Sequence, residues 1–320
     1  MDQLTATLLS APVLFFVLGA LAAAARSDLS VPETIAKGMS LYLMAAIGLK
    51  GGVEVARAGI GPELISALVA GFVLSAAIPF LVAPVLSRVG GLDSTNTGAV
   101  AAHYGSVSVV TFVTASQVYG DTGFAIAGFM VAVLAMMETP AILSGLFIAR
   151  REGGTLFSRE LLREVLFNGS VVLLLGSFAI GMVIGEDGFE PISPLFRAGF
   201  TGVLCLFLLD MGLIAMRRIL QTRSLTMRLA MFALVFPIIN GTFGVMAGTL
   251  IGLDAPSVAA LGILAASASY IAVPAAMRMS LPQADAGLYL AMSLGVTFPF
   301  NIVIGIPLFR WMAETFGVMT

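Results

Sequence analysis

"AAHYGSVSVV", residues 101–110, interrupts a chain that is otherwise close to oily. It holds the only histidine of the sequence, His103, and then Tyr104, Gly105, Ser106 and Ser108, with valine and alanine on both sides. A helix that simply crossed hydrocarbon would have no use for a glycine set between hydroxyls. Hydrophobic residues make up 59% of the 320 residues and charged residues 11%, where a soluble domain carries about 25% charged residues. Apolar runs of about 20 residues, each enough to cross about 30 Å of hydrocarbon as a helix, recur along the whole length. The composition therefore predicts an all-α integral membrane protein with no soluble domain left over. A net charge of −2, with sparse positive charge confined to connections, gives no footprint for nucleic acid. The single cysteine, Cys205, can close no intramolecular disulfide, and no Cys/His metal cluster exists in the sequence.

Breaking the runs at Gly, Pro and charge clusters gives ten spans, at 8–25, 34–50, 63–87, 95–115, 122–148, 165–185, 196–216, 227–251, 257–277 and 286–312. The opening "MDQ" is acidic where a signal peptide would be basic, so the first span is expected to be retained. Of the 16 Lys and Arg residues, all but Lys50, Arg57, Arg197 and Arg310 fall in connections that follow odd-numbered spans. The positive-inside bias makes those connections cytoplasmic and turns both termini outward.

The two halves resemble each other. "GGLD" at 90–93 returns as "IGLD" at 251–254, a shift of 161, each time ahead of a helix that begins with polar residues. At a shift of 164, Gly98 meets Gly262, Ala102 meets Ala266, Gly123 meets Gly287, and "AIGLK" at 46–50 meets "DMGLI" at 210–214. Five spans per half is an odd number, so the second copy must enter the membrane upside down. Inverted-topology repeats of this kind are characteristic of secondary transporters. The expected division is a first repeat over 1–150, a cytoplasmic linker over 151–164 and a second repeat over 165–320.

The counterpart of 101–110 in the second half is "AASASYIAVP" at 265–274, so the polar interruption occurs twice. Irregular backbone is tolerated at membrane depth only where it is buried or lines a cavity. Spans four and nine are therefore expected to be broken helices that cross near mid-membrane. At such a break one half-helix presents amides and a partial positive charge, and the other presents free carbonyls. Neighbouring spans add oxygen. "MMETP" puts Glu138 and Thr139 ahead of Pro140, and "GVTFPFN" puts Thr297 and Asn301 around Pro299. Each proline also frees a carbonyl four residues back, that of Met136 or Gly295. Carboxylate, amide, hydroxyl and carbonyl oxygens suit a dehydrated hard cation, and sodium is the expected one.

A second membrane acid, Asp210 in "LCLFLLDMGLIAM", is costly enough at a helix centre to be a functional candidate. Two placements stay open for it: the opposite wall of the cavity, or a cap from a neighbouring helix in an oligomer. His103 and Tyr104 are candidates for gating or for lining the cavity, against the plainer reading of a buried histidine satisfied by a carbonyl. Ser106 and Ser108 in isolation would pass for helix-packing serines that bond back to a carbonyl one turn earlier. The pairing of the two breaks decides for a site. An intramembrane enzyme is disfavoured, because His103 has no partner for a zinc site and no GxSxG turn or Ser–His–Asp set can be assembled. A scaffold or receptor would leave the paired breaks unexplained.

"AAHYGSVSVVTFVTA" at 101–115, "METPAI" at 137–142, "FLLDMGL" at 207–213 and "LGVTFPFN" at 294–301 resemble the SbtA-type sodium-dependent bicarbonate transporters, and the likeness covers nearly the whole chain. The resemblance implies two inverted five-helix repeats, similar to bile-acid symporters. It also implies a core domain from spans 3–5 and 8–10, a gate domain from spans 1–2 and 6–7, a homotrimer, and an elevator or rocking motion in a bacterial inner membrane. By resemblance, bicarbonate would be held at Gly105, Ser106, Val107, Ser108, Ser269 and Tyr270. Sodium would lie close by at Glu138, Thr297, Asn301 and Ser267, with no other cofactor or metal. Cyanobacterial members carry a much longer connection between the repeats, which helps bind a PII-like regulator. Here about 16 residues join spans five and six, which speaks against such a partner. Within the same architecture, a sodium/proton antiporter and a symporter of another small organic anion are the alternatives.

Overall fold

The computed structural model describes residues 9–59, 61–149, 163, 167, 169–222 and 224–316. The expected linker, 151–164, lies outside the described residues apart from Arg163. No strand occurs among the described residues. The helices are α1 (Ala11–Ala24), α2 (Glu33–Ala58), α3 (Pro62–Arg88), α4 (Ser94–Gly105), α5 (Val109–Gly120), α6 (Met130–Ala149), α7 (Gly169–Phe189), α8 (Gly199–Gln221), α9 (Met227–Leu250), α10 (Ala255–Ala266), α11 (Ala272–Ser280) and the composite α12 (Ala286–Phe316). Among the described residues, eight helical segments are long and apolar enough to cross a membrane, with α4 and α5 counted as one; α1 and α10 are apolar but shorter. The protein is thus a multi-pass membrane protein.

Two boundaries moved furthest from the sequence reading. Lys50 and the charges after it suggest an end at 50, yet α2 runs on to Ala58, because the continuation buries Gly51, Gly52, Val53 and Val55 where α2 packs along α7 and α6. Tertiary burial overrides the local charge signal. In the fifth segment the helix begins at Met130, not 122, since residues 121–129 form a turn and loop around Gly123, whose φ of 72° sits in the left-handed region.

The repeated "GLD" proves to be a start signal built the same way twice. Gly91 and Gly252 adopt φ of 70° and 74°, closing the preceding helix. The aspartate two residues on caps the next one: Asp93 Oδ1 accepts from the Asn96 amide at 2.8 Å, and Asp254 Oδ1 from the Ser257 amide at 3.3 Å.

Packing sorts the helices into two groups. α1 lies along α8 and α2 along α7, with α2 also against α8. In the other group α3, α4 and α6 pack mutually, as do α9, α10 and α12, and α10 meets α5 between the two sets. Aromatic edges link the groups, since Tyr270 packs on Phe298 of α12 and Phe298 on Phe16 of α1, with centroids 5.3 and 5.5 Å apart.

Candidate functional site

Both broken helices are present, and their breaks touch. α4 stops at Gly105 and α5 resumes at Val109, with Ser106 extended at φ −89° and ψ 178°. α10 stops at Ala266 and α11 resumes at Ala272, with Ser267 likewise extended at φ −79° and ψ 162°. Two hydrogen bonds stitch the breaks together: the Ser108 amide donates to Ser267 Oγ at 2.9 Å, and the Ser269 amide donates to the His103 carbonyl at 2.9 Å. Each spends one of the orphan groups that an interrupted helix creates. Ser106, Ser108, Ser267, Ser269 and Tyr270 are all buried, so the junction is enclosed by protein.

The remaining groups divide by sign. Ser108 caps α5 by accepting from the Thr111 amide at 3.2 Å, and its hydroxyl also takes the Thr111 hydroxyl at 2.9 Å. The next amides, of Val109 and Val110, find no acceptor among the described residues. Buried amides at a helix N-terminus are the setting that receives an anion. Ser269 serves α11 similarly, with the Val273 amide 3.4 Å from its hydroxyl. On the acceptor side, Glu138 Oε2 and Asn301 Oδ1 are buried without a partner, Glu138 at 4% and Asn301 at 0% exposure. A buried, unmatched oxygen is expensive. Two of them, one on α6 and one on α12, are suited to a cation.

Prolines explain why the surroundings are polar at this depth. Pro237 lies inside α9 and frees the carbonyl four residues back, that of Ala233. Thr297 Oγ1 donates to it at 2.7 Å, and Tyr104 Oη in turn donates to Thr297 Oγ1 at 2.7 Å. Three helices are thereby tied by one buried chain. In α6, Pro140 interrupts the ladder, and the hydroxyl of Ser75 from α3 enters the gap: it donates to the Met137 carbonyl at 2.6 Å and accepts from the Ala141 amide at 3.2 Å. Around Pro299, α12 changes to five-back pairing over 291–297 and 301–305, with Phe298 bonding Ser293 and Ile306 bonding Asn301. Such π turns recur at functional sites. Replacing Tyr104 by Phe deletes one donor and is expected to cost about 1 kcal/mol. Thr297→Val strands both a hydroxyl and a carbonyl, at about 1–3 kcal/mol each. Thermal unfolding in detergent should rank the two in that order, and equal losses would break the chain as described.

The structure brings most of the predicted residues to the junction. Ser106 Oγ reaches the Glu138 carbonyl at 3.4 Å, and Asn301 Nδ2 holds the Ala266 carbonyl at the end of α10 at 2.9 Å. Glu138 and Asn301 thus each stand beside a different break, and no hydrogen bond joins them. Tyr270 Oη is buried and unpartnered, facing Ser108. His103 is fully buried. Its Nδ1 donates to the Ala99 carbonyl at 2.6 Å, which leaves Nε2 an acceptor without a partner, and its ring stacks on Tyr289 at 4.4 Å. Asp210 is buried on α8, in the other group of helices, with Arg217 as its electrostatic neighbour and no bond to the breaks. Sequence reading passed over Ser75 and the Ala233 carbonyl. For the Ala233 carbonyl the signal was there: Pro237 interrupts an apolar span as Pro140 and Pro299 do.

The chain as a whole matches one known family. A family model described as the Na+-dependent bicarbonate transporter superfamily covers residues 11–314, nearly the full length, and that family is one of transporters, not enzymes. No curated protein matches the chain.

Proposed function

We propose that this chain, which belongs to the Na+-dependent bicarbonate transporter superfamily, is a symporter that moves bicarbonate inward across a bacterial inner membrane by coupling it to sodium. The observation that carries this is the touching pair of breaks, with unpaired amides on one side and unpaired buried oxygens on the other. In this reading α4 with α5 and α10 with α11 each make one span, giving ten in two inverted repeats of five with both termini outside. The helices α1, α2, α7 and α8 form the gate and the rest form the core, and alternating access comes from an elevator movement of core against gate within a trimer. The short connection between repeats argues against a PII-like regulator.

Bicarbonate, planar and monovalent, would rest at Gly105, Ser106, Val107, Ser108, Ser269 and Tyr270, beside the unpaired amides of Val109 and Val110 that open α5 and among the hydroxyls of the junction. Sodium would draw on Glu138 and Asn301, and on the lone pair that the Thr297 and Ser267 hydroxyls each keep beyond the bonds described. A membrane potential contributes about 2.3 kcal/mol per net charge per 100 mV, so one sodium per bicarbonate would be electrically silent and two would use the potential.

The test is uptake of radiolabelled bicarbonate into proteoliposomes under an imposed sodium gradient, with a potassium control, for the wild type and Ser106→Ala. Sodium-dependent accumulation is expected, falling at least several-fold in the variant. Sodium flux without bicarbonate would turn the assignment to an antiporter or to another small organic anion.

A further inference from the structure

Where α3 ends and the chain turns into α4, one face of the helix changes character. Phe80, Ala83, Pro84, Ser87 and Arg88 follow the i, i+3, i+4, i+7, i+8 spacing of a single helix face. The stripe starts apolar and ends, about 12 Å further along the axis, in a hydroxyl and a cation. All five residues line a recess of about 410 Å³, with Phe147 of α6 on the facing wall and Ser94 of α4 at the polar end. Phe80 and Phe147 meet edge to face with centroids 6.0 Å apart, yet they stay 46% and 53% exposed. In a multi-pass membrane protein such a pair faces hydrocarbon. Among the described residues, Arg88 is the one charged group that lines the recess, and it enters no ion pair or hydrogen bond. Beside it α4 opens with two spare donors. The Asp93 cap takes the amides of Asn96 and Thr97, which leaves those of Ser94 and Thr95 without an acceptor among the described residues, and Asp93 itself does not line the recess.

We infer that this recess binds an anionic phospholipid, with the phosphate on Arg88, the Ser94 hydroxyl and the first amides of α4, and an acyl chain along Phe80 and Phe147. The matching ligand has to be apolar along its length and negative at its end, and it has to lie at the edge of the membrane. Basic pockets between membrane helices take headgroups of this kind. A free phosphate would leave the aromatic wall uncovered. A zwitterionic lipid would bring a second cation up to Arg88. Such a site requires only the multi-pass membrane character of the chain, and neither the substrate nor the coupling ion proposed above enters it.

The experiment is thermal unfolding of the full chain in detergent during titration with phosphatidylglycerol, phosphatidylcholine or inorganic phosphate, for the wild type, Arg88→Gln, Phe147→Ser and Arg218→Gln. Arg218 is an exposed cation in the last turn of α8 that does not line the recess, so it reports general attraction between protein and lipid. Phosphatidylglycerol is expected to raise the unfolding temperature of the wild type in a saturable way, and phosphatidylcholine and phosphate to raise it little. Arg88→Gln should need about fivefold more phosphatidylglycerol for half of the rise, and Phe147→Ser severalfold more. Arg218→Gln should match the wild type. An unchanged midpoint in either recess variant, an equal loss in Arg218→Gln, or an equal response to phosphatidylcholine would overturn the assignment. A response to inorganic phosphate as large as that to phosphatidylglycerol would overturn it in favour of a free anion. A change of oligomeric state in Arg88→Gln, read by light scattering, would overturn it in favour of a second copy of the chain.

Discussion

Gly105→Ala is expected to lower sodium-driven bicarbonate uptake more than tenfold, from a protein that still inserts in the membrane. A Cβ at this position would stand 2.5 and 2.6 Å from Cγ and Cδ of Pro79 and 2.8 Å from the Ser75 carbonyl oxygen. None of these atoms can step aside, because one pair belongs to a closed ring and the other atom is backbone. α4 must back away from α3 instead. The displaced end of α4 carries the His103 carbonyl that receives the Ser269 amide, and the chain beyond it carries the Ser108 amide that reaches Ser267. Overpacking of this kind costs about 1–3 kcal/mol. The transport loss should be larger than the stability loss suggests, since a binding constellation has to be held to about 0.5 Å. Gly176→Ala on α7 is the control. Nothing lies within 4 Å of its Cβ, so uptake should stay at the wild-type level while helix stability rises by roughly 0.5–1 kcal/mol. Equal uptake in the two variants would show that the close approach at Gly105 has no bearing on transport.

Much of this arrangement was legible from residue types alone. A glycine among serines in an oily run marks irregular backbone, and the return of a polar interruption at a shift of 164 marks a pair. The structure adds that the two breaks are bonded to each other. That could not be read, because the partners of Ser108 and Ser269 lie 159 and 166 residues away along the chain and no local pattern encodes such a distance. The proline rule was sound and too narrowly used. It identified Pro140 and Pro299, whereas Pro237 does the same work at Ala233, where the freed carbonyl determines what Thr297 bonds. Ser75 is less accessible still, for a serine on one helix that fills a proline gap on another leaves no periodic trace.

Glu138→Gln should separate function from folding, because the two are expected to move in opposite directions. In the protein without ions, Glu138 is 4% exposed and its Oε2 meets no donor, a situation that disfavours the carboxylate and favours a neutral group of the same shape. Glutamine supplies that shape. The variant should therefore unfold in detergent, with no sodium present, at or above the wild-type temperature. Transport should fall more than tenfold, since an amide offers a hard cation one carbonyl oxygen and no charge. Titration with sodium makes the distinction sharp. An ion that binds only the folded state stabilises it by about 2.7 kcal/mol at a hundred times its dissociation constant, so the wild type should show a rise in unfolding temperature with sodium and not with potassium, and Glu138→Gln should show none. Asn301→Ala is the companion measurement. It removes the other unpaired oxygen but also releases the Ala266 carbonyl at the end of α10, so it should lose both the sodium response and about 1–3 kcal/mol of stability. A Glu138→Gln protein that unfolds earlier than the wild type and still responds to sodium would place the carboxylate in the framework of α6 and move the cation to other oxygens.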